Sequence, residues 1–414
     1  MSHVKNHLNW MLLIIISLTS CDSLKKVSFM ETKKVEKGSF EFDLHFLHNF
    51  DKKLVVLKSE NGNSQIIISP KYQSKVFTST AENIAGKSFG WVNYKAFTST
   101  PSKQMNAYGG ENRFWLGPEG GQFSLYFNPG DKMDFPKWRT PASFDTESWS
   151  VKRKNKLEVV FQKEMSIINY KGTNLSILVD RKIRILTNLQ ISSELSVNLP
   201  NLVKAVGYET ENKITNIGKF EWTYETGMPC IWMLDMFNPS QTTVIVVPFQ
   251  KTNIDDFKTV ATTNYFGEIQ MDRLKYTDKV LYFKADGKRR TKLGIKPSKI
   301  IPYAGSYDFE SKVLTIIKFD TDSQAQFLNQ EWNTTKDPFS GDAMNAYNDG
   351  PLEDGSQMGP FYEIESVSPA AFLKPRTSLT HKHAVFHLTG SDEDLSTVVQ
   401  RIFGVSLDEI KKVF

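Results

Sequence analysis

Runs of β-branched and aromatic residues, broken at short intervals by turn signals, dominate this chain. LVVLKSENGNSQIIISP (54–70) is two β-rich runs around Asn61-Gly62, a dipeptide that favours hairpins. LEVVFQKEMSIINYKGTNLSILVDRKIRIL predicts further long strands, two of them joined at a Lys171-Gly172 turn. TTVIVVPF and KVLTIIKF read as buried strands, because they are short and almost wholly apolar. No short-period repeat and no low-complexity linker interrupts the series. One large all-β domain over 39–390 is expected, since sandwiches and barrels often exceed the usual domain length.

The pattern changes at the C-terminus. Leu395, Val398, Val399, Ile402 and Phe403 recur at helical spacing behind Ser391 and Asp394, which can cap the helix. Gly404 is a stop signal, and Ser406 with Glu409 forms a second capping-box pattern. Residues 391–414 are therefore expected as helices packed on the outside of the β domain.

The N-terminus differs again. Lys5 lies in a polar start, followed by the apolar run MLLIIISL (11–18) and then LTSC (18–21). The run is too short to span a bilayer but suits the core of a secretory signal. Leu18-Thr19-Ser20-Cys21 resembles a bacterial lipobox, in which the cysteine is lipidated. The expectation is a signal peptide over 1–20, a lipid on Cys21, a polar tether over 21–38, and a membrane-anchored place in the cell envelope. Cys230 then has no partner for an intramolecular disulfide. Its apolar surroundings, GMPCIWMLDMF, predict a buried small hydrophobe.

Composition adds exclusions. The 414 residues are 40% hydrophobic and 23% charged, which allows a large core. The net charge of +5 is scattered, and the densest basic run is Lys288-Arg289-Arg290. That pattern implies a solvated surface and no nucleic-acid partner.

Three stretches carry candidate chemistry. In YGGENRFWLGPEGGQFS (108–124), two Gly-Gly pairs bracket Glu111, Arg113, Trp115 and Glu119. On an extended strand Glu111, Arg113 and Trp115 share a face. That set suits a sugar, which needs charged groups for hydroxyls and an aromatic platform. It equally suits an internal Glu111–Arg113 ion pair beside a core tryptophan. Glu119 reads as a surface turn residue. GDAMNAYNDG (341–350) reads as a loop rich in oxygen ligands from Asp342, Asn345, Asn348 and Asp349, for sugar hydroxyls, for its own backbone turns, or, behind both, for Ca²⁺. In FYEIESVSP, Glu363 and Glu365 share a strand face. In HKHAVFHLTG, His381, His383 and His387 share one parity, while Ala384, Phe386 and Leu388 share the other. The apolar set is expected toward the core and the histidines toward a cleft or solvent, at least one of them exposed. No third metal ligand is evident, so neither a metal nor any other cofactor is expected.

YGGENRFWLGPEGG, EWTYETGMPCIWMLDMF, KADGKRRTKLGI, GDAMNAYNDGP and FYEIESVSPAAFL together resemble an uncharacterised family of bacterial lipoproteins, itself similar to the galactose mutarotase-like superfamily. The resemblance implies a β-supersandwich of two large, mostly antiparallel sheets with a concave sugar-binding face. It implies Glu365 as a catalytic base and Arg113 as a substrate contact. The further substrate-binding candidates are Glu111, Trp115, Asn348, Asp349, Glu363, Lys292 and His381, with Arg113, Glu365 and Asn348 converging on one cleft. Mutarotases carry histidines in the first half and middle of the chain, and here none lies between His48 and His381. A tyrosine, Lys292 or a C-terminal histidine would have to replace the usual acid. The expected function is a monomeric, carbohydrate-binding envelope lipoprotein, a divergent sugar epimerase or other carbohydrate-active protein, with a non-catalytic glycan-binding or structural envelope lipoprotein as the alternative.

Overall fold

The structure, a computed structural model, describes residues 35–253, 255 and 257–414. The expected signal peptide, the expected lipidation site Cys21 and most of the expected tether lie outside the described residues.

Among the described residues, nineteen strands build three antiparallel sheets. They are β1 (Val55–Lys58), β2 (Gln65–Ser69), β3 (Lys75–Thr80), β4 (Arg113–Gly117), β5 (Ser150–Lys154), β6 (Glu158–Ile168) and β7 (Asn174–Ile185). Then follow β8 (Lys204–Asn216), β9 (Cys230–Phe237), β10 (Thr243–Pro248), β11 (Ala261–Thr262), β12 (Leu274–Tyr276) and β13 (Val280–Lys284). The last are β14 (Thr291–Ile295), β15 (Tyr303–Asp308), β16 (Val313–Phe319), β17 (Met344–Asn348), β18 (Tyr362–Val367) and β19 (Ser378–Thr389). One sheet has ten strands in the order β12-β13-β10-β15-β16-β19-β8-β7-β6-β5. A second has six, β11-β14-β17-β18-β9-β4, and β1–β3 form the third. The all-β, mostly antiparallel reading holds.

The ten- and six-stranded sheets pack face to face. Ser306 on β15 bonds Tyr362 on β18 at 2.7 Å, and His383 on β19 bonds Asp235 on β9 at 2.6 Å. Burial follows from this layering. β7 alternates buried and half-exposed positions, as a strand with one wet face must. Every residue of β9, which lies between β18 and β4, is buried.

The helices are α1 (Phe40–Phe50), α2 (Asn188–Leu195), the single turn α3 (Phe257–Val260), α4 (Asp392–Phe403) and α5 (Leu407–Lys411). α4 and α5 start and stop where the capping residues require. Ser391 accepts from the Asp394 N–H, Gly404 takes the left-handed C-cap, and Ser406 with Glu409 closes a full capping box. Their apolar stripe covers Val244, Val246, Leu314 and Ile316 on the outer face of the ten-stranded sheet. α1 and α2 escape the sequence reading. FEFDLHFLHNF alternates like a strand, yet Ser39 caps it and Phe40 and Leu47 pack beside Phe77 of β3.

Two expectations change here. The β1–β2 connection spans six residues between the paired Lys58 and Gln65, so Asn61-Gly62 lies inside a longer turn. The histidines of β19 face inward. β19 is a central strand whose outer face is covered by α4, so Ala384, Phe386 and Leu388 pack under that helix. The opposite parity then points between the two sheets, and His381, His383 and His387 are all buried.

Candidate functional site

Register in the six-stranded sheet gathers the charged candidates. Arg113 opposes Leu234 and Trp115 opposes Trp232 across β4 and β9. Leu234 opposes Glu365 and Met236 opposes Glu363 across β9 and β18. Asn345 opposes Glu365, Tyr347 opposes Glu363, and Lys292 opposes Tyr347 across β18, β17 and β14. Directly opposed residues share a face, so all of these side chains project from the face turned away from the ten-stranded sheet.

On that face Lys292 donates to both oxygens of Glu365, at 3.1 and 3.0 Å, and the Trp232 indole N–H donates to Glu365 Oε2 at 2.8 Å. Lys292 also lies 5.0 Å from the Trp232 ring. Arg113 donates to Glu363, and its guanidinium lies 5.2 Å from the Trp115 ring. Trp115 and Trp232 meet edge to face at 5.7 Å. The result is two ion pairs interleaved with two indoles. They are well covered: Arg113 is 4%, Glu363 7% and Glu365 0% exposed. Burial raises the Glu363 carboxyl above its ordinary range, and the Arg113 charge opposes that rise.

Two buried polar atoms on this face have no partner among the described residues, Arg113 Nε and Asn345 Oδ1. Buried polar groups are nearly always satisfied, so orphans beside an ion-paired cluster mark a place for a ligand or water. Gly294 on β14 makes room there. A Cβ on it would lie 2.1 Å from Asp342 Oδ2 and 2.7 Å from Asn345 Nδ2. Asp342 accepts from Tyr265 at 2.6 Å and pairs with Lys296 at 3.1 Å.

Glu119 corrects the sequence reading. It is only half-buried by exposure, yet it is no surface turn residue. Its carboxyl lies within the fields of Lys292, Glu365 and Arg290 and bonds the Trp332 side chain. Desolvation pushes it up to about 7, against the pull of Lys292. Nothing in the local sequence signals this, because Trp332 arrives from a distant loop. Lys75 is the second residue the sequence does not reveal. It is buried, donates to the Gly109 carbonyl at 2.9 Å, and has its pKa lowered by burial and by the neighbouring Arg113 charge.

The remaining candidates fall elsewhere. Glu111 does not pair with Arg113. Glu111 and Asn112 bond to β3 rather than β9, so the chain changes partner before Arg113. Gly109 and Gly110, with φ of 83° and 127°, permit the bend. Glu111 instead accepts from Ser79 at 2.7 Å and meets His387 at 3.1 Å. GDAMNAYNDG is no loop, since β17 occupies 344–348. Asn348 opposes Tyr362 and so lies on the other face from Glu365. It binds the Gly287 N–H at 2.9 Å and the Arg289 carbonyl at 2.8 Å, which fixes that turn. Asp349 stays at the edge of the charged face, accepting from Tyr347 at 3.2 Å and from the Gly359 N–H at 2.9 Å. His381 is behind the sheet, bonded to Ser366 at 2.8 Å. Burial, with His383 beside it, lowers its pKa to about 3. Cys230 is fully buried and its thiol is pushed up to about 12.

Behind the charged face, Ser366, His383 and Asp235 are linked by bonds of 2.8 and 2.6 Å. The order imitates a nucleophilic triad, but all three are 0% exposed. The chain continues through Asn112 to Arg181, at 2.7 and 2.6 Å, and so clamps the two sheets together.

No curated protein matches the sequence. Among solved structures, the chain is similar to a putative aldose 1-epimerase from Escherichia coli K12, at 10% identity and a TM-score of 0.49, over 81% of this chain and 98% of that one. It is similar to a galactose mutarotase-like protein from Lactobacillus casei, at 10% identity and a TM-score of 0.46, over 81% and 99%. A galactose mutarotase related enzyme from Lactobacillus acidophilus gives 7% identity and a TM-score of 0.43, over 81% and 97%. A family model matches residues 38–414, and by that match the chain belongs to a family of unknown function, DUF6786.

Proposed function

We propose that the chain handles a saccharide at the charged face of the six-stranded sheet, with proton transfer at the anomeric centre as its chemistry. The observation that carries this is Glu365, a fully buried carboxylate held by Lys292 and by the Trp232 indole that also forms the aromatic floor. Trp115 and Trp232 offer apolar surface to the C–H face of a sugar ring. Arg113, Glu363 and Asn345 offer charged and amide groups to its hydroxyls.

Mutarotation needs a base at the anomeric hydroxyl and an acid at the ring oxygen. Glu365 takes the base role. Glu119 takes the acid role, because burial favours its protonated form and it forms no salt bridge among the described residues. The anomeric O–H proton passes to Glu365 while Glu119 protonates the ring oxygen. The C1–O5 bond then opens to the aldehyde, and reversal on the other face gives the second anomer.

A second reading, glycan binding without turnover, is favoured by the histidines. His381, His383 and His387 all face the inter-sheet core, so none of the three serves the charged face. Anomer interconversion followed by NMR over a panel of aldoses separates the readings. Wild type should accelerate interconversion of at least one aldose, and Glu365→Gln or Glu119→Gln should lower that rate by about 10²-fold or more while binding persists. Binding without acceleration selects the second reading. Failure to bind any saccharide overturns both.

We also place the protein as a monomer on the envelope membrane, through a lipid on Cys21. Metabolic labelling with a palmitate analogue should mark wild type and leave Cys21→Ser unlabelled. Equal label in both would end that placement.

A further inference from the structure

A groove of about 790 Å³ opens beside the charged face, between α1, the segment 87–107 and the loop 357–360. Its Trp91 packs at a tilt against Phe361, ring centroids 4.7 Å apart, and Phe361 lies 5.7 Å from Tyr347, the cross-strand neighbour of Glu363. The Trp91 N–H bonds the carbonyl of Met236, which opposes Glu363 from the other side. The groove therefore adjoins the Arg113–Glu363 pair.

Its lining has a specific chemistry. Asn93, Asn238 and Gln357 each donate their side-chain NH₂ to backbone carbonyls, of Ala107, of Phe89 and Gly90, and of Gly287. That fixes each amide, and each side-chain oxygen is left without a donor among the described residues. Three positioned acceptors beside an indole suit a ligand rich in hydroxyl donors. The same groove holds Lys37, Lys87 and Lys95. None of them forms a salt bridge among the described residues, although Asp308 and Glu310 lie within the field of Lys87. The acid in the lining, Asp43, is occupied by bonds from Ser88 and Tyr94. Lys37 is held 4.8 Å from the Tyr94 ring. The groove thus combines hydroxyl acceptors with three lysines that form no salt bridge among the described residues, Lys37 within the field of Asp43 and Lys87 within that of Asp308 and Glu310.

We propose that this groove binds the continuation of an acidic oligosaccharide, whose end unit occupies the charged face. The lysines take the carboxylates of successive sugars, the amide oxygens take their hydroxyls, and Trp91 supports a ring face. The inference rests on the saccharide reading of the charged face, and it narrows the ligand from any sugar to a chain of uronic-acid type.

The test is calorimetric titration of the domain with a hexauronate, a neutral hexasaccharide and a monosaccharide uronate. Wild type should bind the hexauronate at least tenfold more tightly than either other probe. The variant Lys37→Gln/Lys87→Gln/Lys95→Gln should lose about tenfold or more for the hexauronate, and nothing for the monosaccharide. Raised salt should weaken the hexauronate alone, as expected of exposed charge contacts. Equal affinity for the acidic and neutral hexamers, or no effect of the triple variant, overturns the proposal. Monosaccharide binding that Glu365→Gln alters, with no gain from chain length, removes the groove and keeps the charged face. Hexauronate binding that needs the lysines but is indifferent to Glu365→Gln, with no monosaccharide binding, keeps the groove and removes the charged face.

Discussion

Arg113 and Glu363, 250 positions apart, form a buried ion pair that ties the edge strand β4 to β18 across the intervening β9. The pairing changes what truncation does. Arg113→Ala strands Glu363 in a covered site, and removing one partner of a buried pair costs about 3–5 kcal/mol. Urea denaturation should show that loss. Replacing both, as Arg113→Met with Glu363→Leu, should recover most of it, because no charge is then left unpaired. An Arg113→Ala variant as stable as wild type would contradict the pairing.

Glu119 gives stability a definite pH dependence. Its folded pKa is raised from 4.5 to about 7, so the native state holds its proton more tightly than the unfolded chain. Stability is fully present below about 4.5 and falls as pH rises toward 7, on the order of 3 kcal/mol from this group. Asp43, raised from 3.8 to about 6, contributes with the same sign at lower pH. Glu119→Gln should flatten the decline between pH 5 and 7 and leave the Asp43 part. Denaturation midpoints across that range check it, and an unchanged slope would refute the buried-acid assignment.

His381 acts in the opposite direction. Its folded pKa is lowered from 6.5 to about 3, so the native state keeps it neutral while the unfolded chain takes up a proton. Stability from this group is present above about 6.5 and is lost as pH falls toward 3. His381→Gln should reduce the acid sensitivity between those limits. A ring NMR titration near 6.5 in the folded protein would place His381 in solvent and refute its burial against Ser366.

Strand content was legible because alternation and turn residues are local signals. β6, β7, β10 and β16 fall where the apolar runs lie, and Ser391, Gly404, Ser406 and Glu409 cap the helices they mark. What was not legible depends on which face of a strand is covered, and by what. The inward histidines of β19 follow from α4 packing on the other side, which the strand's own sequence does not encode. Glu111 parted from Arg113 because the backbone changes partner between them, which alternation alone cannot register. Glu365, Glu363, Lys292 and Arg113 were recognisable as charges within β-rich segments, but their convergence is a matter of sheet order. Glu119 and Lys75 carry no local mark at all.

Cys230 should behave as an inert thiol. It is fully buried, its pKa is raised to about 12, and thiolate is the reactive form. Alkylation of the native domain should proceed only as fast as the protein opens, and it should become rapid in denaturant. Prompt labelling without denaturant would show that the site between β4 and β9 is open to solvent.

Gly294 offers the most local test of the charged face. Its missing Cβ leaves the space in which Asp342 and Asn345 lie over β14, with contacts of 2.1 and 2.7 Å to any carbon placed there. Asp342 cannot retreat freely, because Tyr265 at 2.6 Å, Thr262 at 3.2 Å and Lys296 at 3.1 Å hold it. Gly294→Ala should therefore displace the Asp342–Tyr265 pair and lower stability by about 1–3 kcal/mol, as overpacking does. Asn345 should move with it, since its amide donates toward Tyr265 at 3.3 Å and its own oxygen is an orphan. If that orphan oxygen receives a sugar hydroxyl, the variant should lose saccharide affinity by more than its stability change accounts for at temperatures well below melting. Calorimetry on folded protein reads this directly. Full affinity in a destabilised Gly294→Ala variant would show that Asn345 takes no part in the site.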